Sequence, residues 1–268
     1  MKKRRVIPVV LLRNGWLVQS TRFATYLNLG NPVWSVKRLS EWGSDELIYL
    51  DITTDDEYDT GRADLAYRHQ PTFLGIIEDV SRVTFMPITV GGRIRSLDDI
   101  ERRLSLGADK ISLNTVAYDD ATFVERAAAR FGSQCIVVSI DYRQVDDTRR
   151  VFVQGGRRET GMDPVAWARV VEARGAGEIL LNSIDRDGTK CGYDIETIAE
   201  VCASVKIPVI ALGGAGCWEH LEEALRRTPV DAVAAANIFQ HTDQSVYYAK
   251  RHLFDARLNV RPPSVISL

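Results

Sequence analysis

The sequence predicts an α/β chain folded as a (β/α)8 barrel, and three observations carry that prediction. Eight short apolar runs without strict alternation recur along the 268 residues, as parallel strands covered on both faces require. Segments with helical spacing lie between several of them, so strand and helix alternate. Stretches of the first half are also echoed in the second at matching places in the strand order, which favours two half-barrels over an open doubly wound sheet.

The first run, residues 6–12, follows Lys2-Lys-Arg-Arg5 and so imitates a secretory leader. It stops at Arg13-Asn14 without a small-residue cleavage site, and reads instead as a buried strand. The second run is 47–52, and an insertion around 59–75 lengthens the first half before the third, 87–90. Leu97, Ile100 and Leu104 mark a helix ahead of Gly107, and 110–114 follows as the fourth run. Phe123, Ala127, Ala128 and Phe131 mark another helix ahead of Gly132, after which 135–141, 178–183, 208–212 and 231–236 complete the set. The echo pairs 42–52 with 174–184 and 87–92 with 208–214. No Pro-, Gly- or Ser-rich tract divides the chain, so residues 1–268 are expected to form a single domain with an irregular tail at about 259–268.

Composition narrows the function. A chain that is 45% hydrophobic and 26% charged can bury a substantial core. Net charge is −2 with both signs interspersed, which gives no electrostatic footprint for nucleic acid or an anionic membrane. No run approaches the roughly 18 apolar residues of a membrane-spanning helix. Cys135, Cys191, Cys202 and Cys217 form no Cys-x-x-Cys pair and stand near no histidine at a zinc spacing, so no metal or other cofactor is expected. They read as reduced thiols of a cytoplasmic protein.

In a barrel of this kind chemistry sits at the carboxyl ends of the strands and stability at the amino ends. Asp51, Asn114, Asp141, Asn182 and Asp185 fall at or just past carboxyl ends, with Gly91-Gly92 and Gly213-Gly214. Singly, such Asp and Asn residues close turns or cap helices; several converging on one mouth outline a site. A glycine pair between strand and helix lets backbone amides approach a phosphate. The pair occurs twice, so Asn114-Thr115 and Ala236-Asn237 are expected to complete two cradles for a substrate phosphorylated at both ends. The alternative is two tight turns. At the other face Arg5, Glu46, Lys110 and Glu178 open strands, and the period of two turns them toward the lumen with Ile7, Val9, Leu11, Ile48, Leu50, Leu180 and Asn182. Two cations and two anions there would pair into a ring, avoiding the several-kcal/mol penalty of an isolated buried ion.

Other residues stay open. Asp51 is a lumen-floor group or a turn partner, Asp185 and Asp187 orient substrate or cap the next segment, and Trp16 is a lid or an exposed aromatic. His69, His220, His241 and His252 are dispersed and read as surface residues.

Val6-Ile-Pro8, Asp45-Glu-Leu47, Leu50-Asp-Ile52, Thr89-Val-Gly-Gly92, Gly107-Ala-Asp-Lys110, Phe131-Gly-Ser-Gln134, Ser183-Ile-Asp-Arg-Asp-Gly-Thr189 and Gly213-Gly-Ala-Gly216 form one set of motifs. In them the chain resembles, over most of its length, the cyclase subunit of imidazole glycerol phosphate synthase. The resemblance implies a barrel that takes ammonia from a glutaminase docked at its bottom face and passes it through the lumen. Arg5, Glu46, Lys110 and Glu178 would then be the ammonia gate, with Asp109 and Gln134 near the glutaminase contact. At the top it implies substrate binding by Asp187 and Gly188 and two aspartates as general acid and base. Asp141 matches one; the other position holds Leu11, which cannot transfer a proton, and such a group is typically worth about 10²–10⁴-fold in rate. Gln19, Leu212 and Asn182 stand where the family has a lysine, a serine and a threonine.

A divergent branch, whose first strand likewise reads Pro-Val-(Val/Leu)-Leu-Leu, is more similar still. It accompanies a glutaminase-like subunit and a sugar amidotransferase in surface-polysaccharide clusters, where an acetamido group becomes an acetamidino group. The resemblance therefore implies a subunit that channels ammonia for sugar amidination, serving a small phosphorylated or nucleotide-sugar substrate. The competing expectations are an authentic imidazole glycerol phosphate synthase cyclase and a non-catalytic scaffold.

Overall fold

The computed structural model describes residues 2–54, 58 and 70–264. Most of the expected insertion, with His69, and the last four residues of the tail lie outside the described residues. Eight strands run parallel and close on themselves. They are Arg5–Arg13, Leu47–Asp51, Ile88–Gly91, Lys110–Leu113, Ile136–Val145, Glu178–Ser183, Val209–Leu212 and Ala232–Ala235, called strands 1 to 8 of the barrel. Strand 1 pairs with both strand 2 and strand 8, and strand 5 with strand 6, so no edge is left between the halves.

Each strand holds apolar residues on both faces for different reasons. Outward side chains such as Val6, Val10, Tyr49, Val90, Ile111, Val138 and Ile179 meet the apolar faces of the helices. Inward ones, including Ile7, Val9, Leu11, Ile48, Val137, Leu180, Ile210, Leu212, Ala232 and Ala234, pack with one another inside the barrel. Local signals fix where helices begin. Asn31 accepts from Val33 N ahead of Pro32, Asp163 accepts from Val165 and Ala166 N ahead of Pro164, and Ser96 forms a capping box with Asp99.

Two hairpins were absent from the expected architecture. Strand 1 runs on past the barrel rim to Arg13 and turns back through Asn14-Gly15 into Trp16–Thr21, which pairs with Thr25–Gly30. Strand 5 runs on to Val145 and turns through Asp146-Asp147 into Thr148–Val153. Asn14, Gly15 and Asp146 all have positive φ, 51°, 73° and 50°, as tight two-residue hairpin turns demand. Asn14-Gly15 was legible in the sequence as a hairpin turn.

The internal repeat is real in the strands but slips by one residue at the glycines. Leu50 stands level with Gly91, whereas Asn182, the counterpart of Leu50, stands level with Leu212. The equivalent glycines are therefore Gly92 and Gly213, not the two pairs in register. The steric contacts agree. A Cβ on Gly92 would lie 2.1 Å from the Asp51 carbonyl oxygen, and one on Gly213 would lie 2.6 Å from the Ser183 carbonyl oxygen. Both need glycine because backbone crosses backbone there.

Among the described residues no helix is long and apolar enough to cross a membrane.

Candidate active site

At the amino ends of the strands the four charged residues meet inside the barrel. Arg5 donates to Glu46 at 2.7 Å and also to Glu178, while Lys110 Nζ reaches Glu46 at 3.0 Å and Glu178 at 2.8 Å. Each cation thus bridges both glutamates. The side chains are between 6% and 20% exposed, so they face the lumen and are not splayed into solvent. Burial pushes the Glu178 carboxyl up and the Arg5 guanidinium down. The opposite charges outweigh it, leaving Glu178 below and Arg5 above its ordinary range. Beside the ring, Asp109 and Gln134 are exposed, with Asp109 Oδ2 accepting from Ile88 N at 2.8 Å.

A second ion pair was not foreseen. Lys250 Nζ, 2% exposed, binds Asp45 at 2.9 Å and the Gly43 carbonyl at 2.8 Å, and Asp45 also accepts from Val6 N. It ties the last helix to the start of strand 1. A lone lysine on a helix carries no sequence signal for such a partner.

At the carboxyl ends a cavity of about 810 Å³ opens above the apolar lumen. Asp141 lies at its base. It accepts from Asn114 Nδ2, Asn182 Nδ2 and Ser139 Oγ, each at 3.2 Å. These are neutral and rather long bonds, so burial dominates and lifts the carboxyl to about 6, with hydrogen bonds from Asn182 and Ser139 opposing the rise. A carboxyl poised there can take and return a proton near neutrality. Leu11 lines the same cavity and is 8% exposed.

The other carboxylates of the cavity wall are engaged. Asp51 sits at the top, not on the lumen floor. It accepts from Thr53 N and Oγ1 and from Tyr58 OH at 3.1 Å, a turn partner whose carboxyl burial raises. Asp119 pairs with Arg158. Asp187 takes Ser20 Oγ at 2.6 Å and Phe23 N at 3.3 Å, and its backbone oxygen takes Arg22 N. Asp185 accepts from Gln144 N at 2.7 Å, outside the cavity lining.

Several residues expected to cradle phosphate also hold the hairpins. Asn237 donates to the Ser20 carbonyl at 2.9 Å, and Thr115 Oγ1 accepts from Gln154 N at 3.0 Å. A Cβ on Gly188 would meet the Ser20 carbonyl at 2.3 Å, so that glycine is what lets the first hairpin lie down. Gly92, Asn114, Thr115, Asn182, Asp187 and Ala236 line the cavity, whereas Gly91, Gly188, Gly213, Gly214 and Asn237 do not. The one-residue slip explains the asymmetry of the glycine pairs: it puts the Leu212 side chain at the rim where Gly91 would have left backbone. Trp16 is not an exposed aromatic, being buried at 6%. Gln19 binds His241 at 3.0 Å and does not line the cavity. Among the described residues no cluster of three or more potential ligands would hold a metal ion.

The fold and site together define a class: a parallel eight-stranded barrel whose lumen is closed by an ionic ring at one end and opens beside a buried carboxyl at the other. Comparison with known proteins points the same way. The family described as histidine biosynthesis protein matches residues 5–245. Imidazole glycerol phosphate synthase subunit HisF of Bacillus cereus (strain G9842) is 42% identical over 262 residues, 97% of this chain and 100% of that protein. The chain belongs to the histidine biosynthesis protein family.

Proposed function

We propose that the chain is the barrel subunit of a glutamine-dependent amidotransferase, cytoplasmic and docked through its ring face on a glutaminase, with Asp109 and Gln134 in the contact. Ammonia enters past Arg5, Glu46, Lys110 and Glu178. The lumen beyond is lined by Ile7, Ile48, Leu180, Ala232 and Ala234, an apolar path that admits neutral ammonia and excludes the costlier ammonium ion. It leaves beside Asp141. The observation that carries this reading is the closed ring of four ion pairs beneath an apolar lumen that ends at that carboxyl.

The acceptor reaction follows from Leu11. With an apolar group in the same cavity at the position of the family's second aspartate, the barrel handles one proton where imidazole formation calls for two. Converting an acetamido sugar to an acetamidino sugar in surface-polysaccharide (O-antigen or lipopolysaccharide) synthesis asks the barrel only to deliver ammonia, the amide oxygen being activated and expelled at a separate sugar amidotransferase. Reconstitution from glutaminase, barrel and amidotransferase tests it: product formation from glutamine is expected to stop when the barrel is left out, and undiminished formation would refute the reading.

A second reading, cyclase action in histidine biosynthesis, is favoured by full-length similarity to a synthase subunit. Turnover of the aminated ribulose nucleotide with excess ammonium would establish it, and absence of imidazole product would remove it. A purely non-catalytic scaffold would leave function untouched on charge reversal at Glu46 or Lys110.

A further inference from the structure

Asn182 lies across the upper end of the lumen. It stands level with Asp141 on strand 5 and with Leu212 on strand 7, and it shares the inward face of strand 6 with Leu180. Its carboxamide spans the two neighbouring strands. Nδ2 donates to Asp141 Oδ1 at 3.2 Å, while Oδ1 points the other way, 3.2 Å from where a Cβ on Gly213 would stand.

The two ends of this amide are unlike. Nδ2 has its acceptor, whereas Oδ1 is buried and among the described residues receives no hydrogen bond. The residue is 5% exposed, so it lies beyond the reach of bulk water. With Asp141 ionised, turning the amide over would set oxygen against oxygen, so the network fixes this orientation. A buried acceptor without a donor forfeits the bond it makes to water in the unfolded chain, and a guest carrying an N–H restores it. The acceptors beside it are engaged: Asp141 Oδ1 takes Asn182 and Ser139, and Asp141 Oδ2 takes Asn114. Val9, Leu11 and Leu212 make the surroundings apolar.

Size and polarity choose the guest. Ammonia rising through the lumen is small enough to stand among these side chains, and it brings N–H donors. Its orientation matters as much as its place. A hydroxyl or amide donor would occupy the nitrogen lone pair, and an ionised carboxylate favours ammonium, which has no lone pair. A neutral carbonyl oxygen accepts one N–H and leaves the lone pair free.

We propose that Asn182 Oδ1 is the docking point for neutral ammonia where the lumen meets the cavity, holding the nitrogen with its lone pair open to the acceptor. This rests on the reading of the lumen as the nitrogen path. It gives Asn182 a task separate from holding the acceptor itself, and it makes the carboxamide one device with two ends, Nδ2 steadying Asp141 and Oδ1 steadying ammonia.

Nuclear magnetic resonance of the intact, isotope-labelled chain tests the docking point without any partner. Ammonium chloride is titrated at alkaline pH, where neutral ammonia is plentiful, and again at mildly acidic pH, where ammonium prevails, with potassium chloride as the salt control. The Asn182 carboxamide carbon, assigned by its disappearance in Asn182→Leu, is expected to shift saturably with ammonia and to stay in place with ammonium or potassium. Asn182→Thr gives the same assignment should the leucine variant not fold. No saturable shift, or an equal shift at both pH values, would overturn the proposal. In the reconstituted system Asn182→Leu is expected to raise the apparent KM for external ammonium roughly tenfold, the upper weight of one neutral hydrogen bond, with kcat changed less. Ser139→Ala removes a bond of equal length to Asp141 and so reads any effect passed through that carboxyl. A KM shift there as large as in Asn182→Leu would overturn the docking role. Amide-15N label retained from glutamine by the parent, beside an unmoved ammonium KM in Asn182→Leu, would sink the docking point alone. A saturable shift in the chain by itself, beside label fully diluted in the parent system, would sink the conduit alone.

Discussion

The two ends of the barrel lumen solve the problem of buried charge in opposite ways. At the bottom Arg5, Glu46, Lys110 and Glu178 satisfy one another in a closed circuit, and every charge has two partners. At the top Asp141 has three neutral donors at 3.2 Å, a leucine in the same cavity and, among the described residues, no cation bonded to it, so its charge is disfavoured. One end is arranged to stay as it is, the other to change protonation. The difference separates an end whose charges are mutually satisfied from one whose carboxyl is held near the point of changing its charge.

The largest effect is expected from breaking the ring. Glu178→Leu leaves Arg5 and Lys110 sharing Glu46, and removing one partner from a buried ionic group costs about 3–5 kcal/mol. Chemical denaturation should show that loss, while loss below about 1 kcal/mol would mean that the ring is solvated and not a closed circuit.

Asp141→Asn should do the reverse. The folded chain holds its proton up to about pH 6, whereas an unfolded aspartate releases it near the ordinary value of about 3.9. Unfolding therefore releases a proton between those values, so stability falls as pH rises through that window, and the penalty is complete above it. Asparagine removes the penalty, at the loss of one accepting oxygen. The variant is expected to be more stable than the parent at pH 7–8, by on the order of 2 kcal/mol, with the difference vanishing toward pH 4. A pH-independent difference would show that burial does not raise this carboxyl.

A smaller, local effect is expected at the first hairpin. Arg22 and Phe23 both sit at positive φ, 53° and 56°, where a bulky side chain is strained, and the Asp187 carboxylate holds the tip through Ser20 Oγ and Phe23 N. Asp187→Ala should release the hairpin tip, raising amide exchange there and tryptic cleavage at Arg22 about tenfold while the global unfolding midpoint moves little. A cooperative fall of the whole midpoint would instead make Asp187 part of the core.

What the sequence made legible was whatever depends on period. Eight apolar runs gave the barrel, and the period of two correctly turned Arg5, Glu46, Lys110 and Glu178 inward, because strand alternation is local. Asp141, Asn114 and Asn182 were likewise found together, since each ends a strand that opens on one mouth. What failed depended on register across strands. Gly91-Gly92 and Gly213-Gly214 look equivalent as written, yet the pairing of Leu50 with Gly91 and of Asn182 with Leu212 sets them one residue apart. Asn237, Thr115 and Gly188, expected at a ligand, also hold hairpins that were not foreseen, although Asn14-Gly15 announced one of them. The Lys250–Asp45 pair joins residues 205 apart in the chain, a contact that only the closed barrel creates.

If the lumen is a nitrogen conduit, as proposed, the nitrogen of the product comes from glutamine and not from the solvent pool. Supplying the reconstituted glutaminase, barrel and acceptor system with amide-15N glutamine in an excess of unlabelled ammonium measures it directly. Product nitrogen drawn almost wholly from glutamine, and diluted by the pool once Glu46 is changed to glutamine, is the predicted result. Label diluted to the bulk ratio with the unaltered barrel would contradict it.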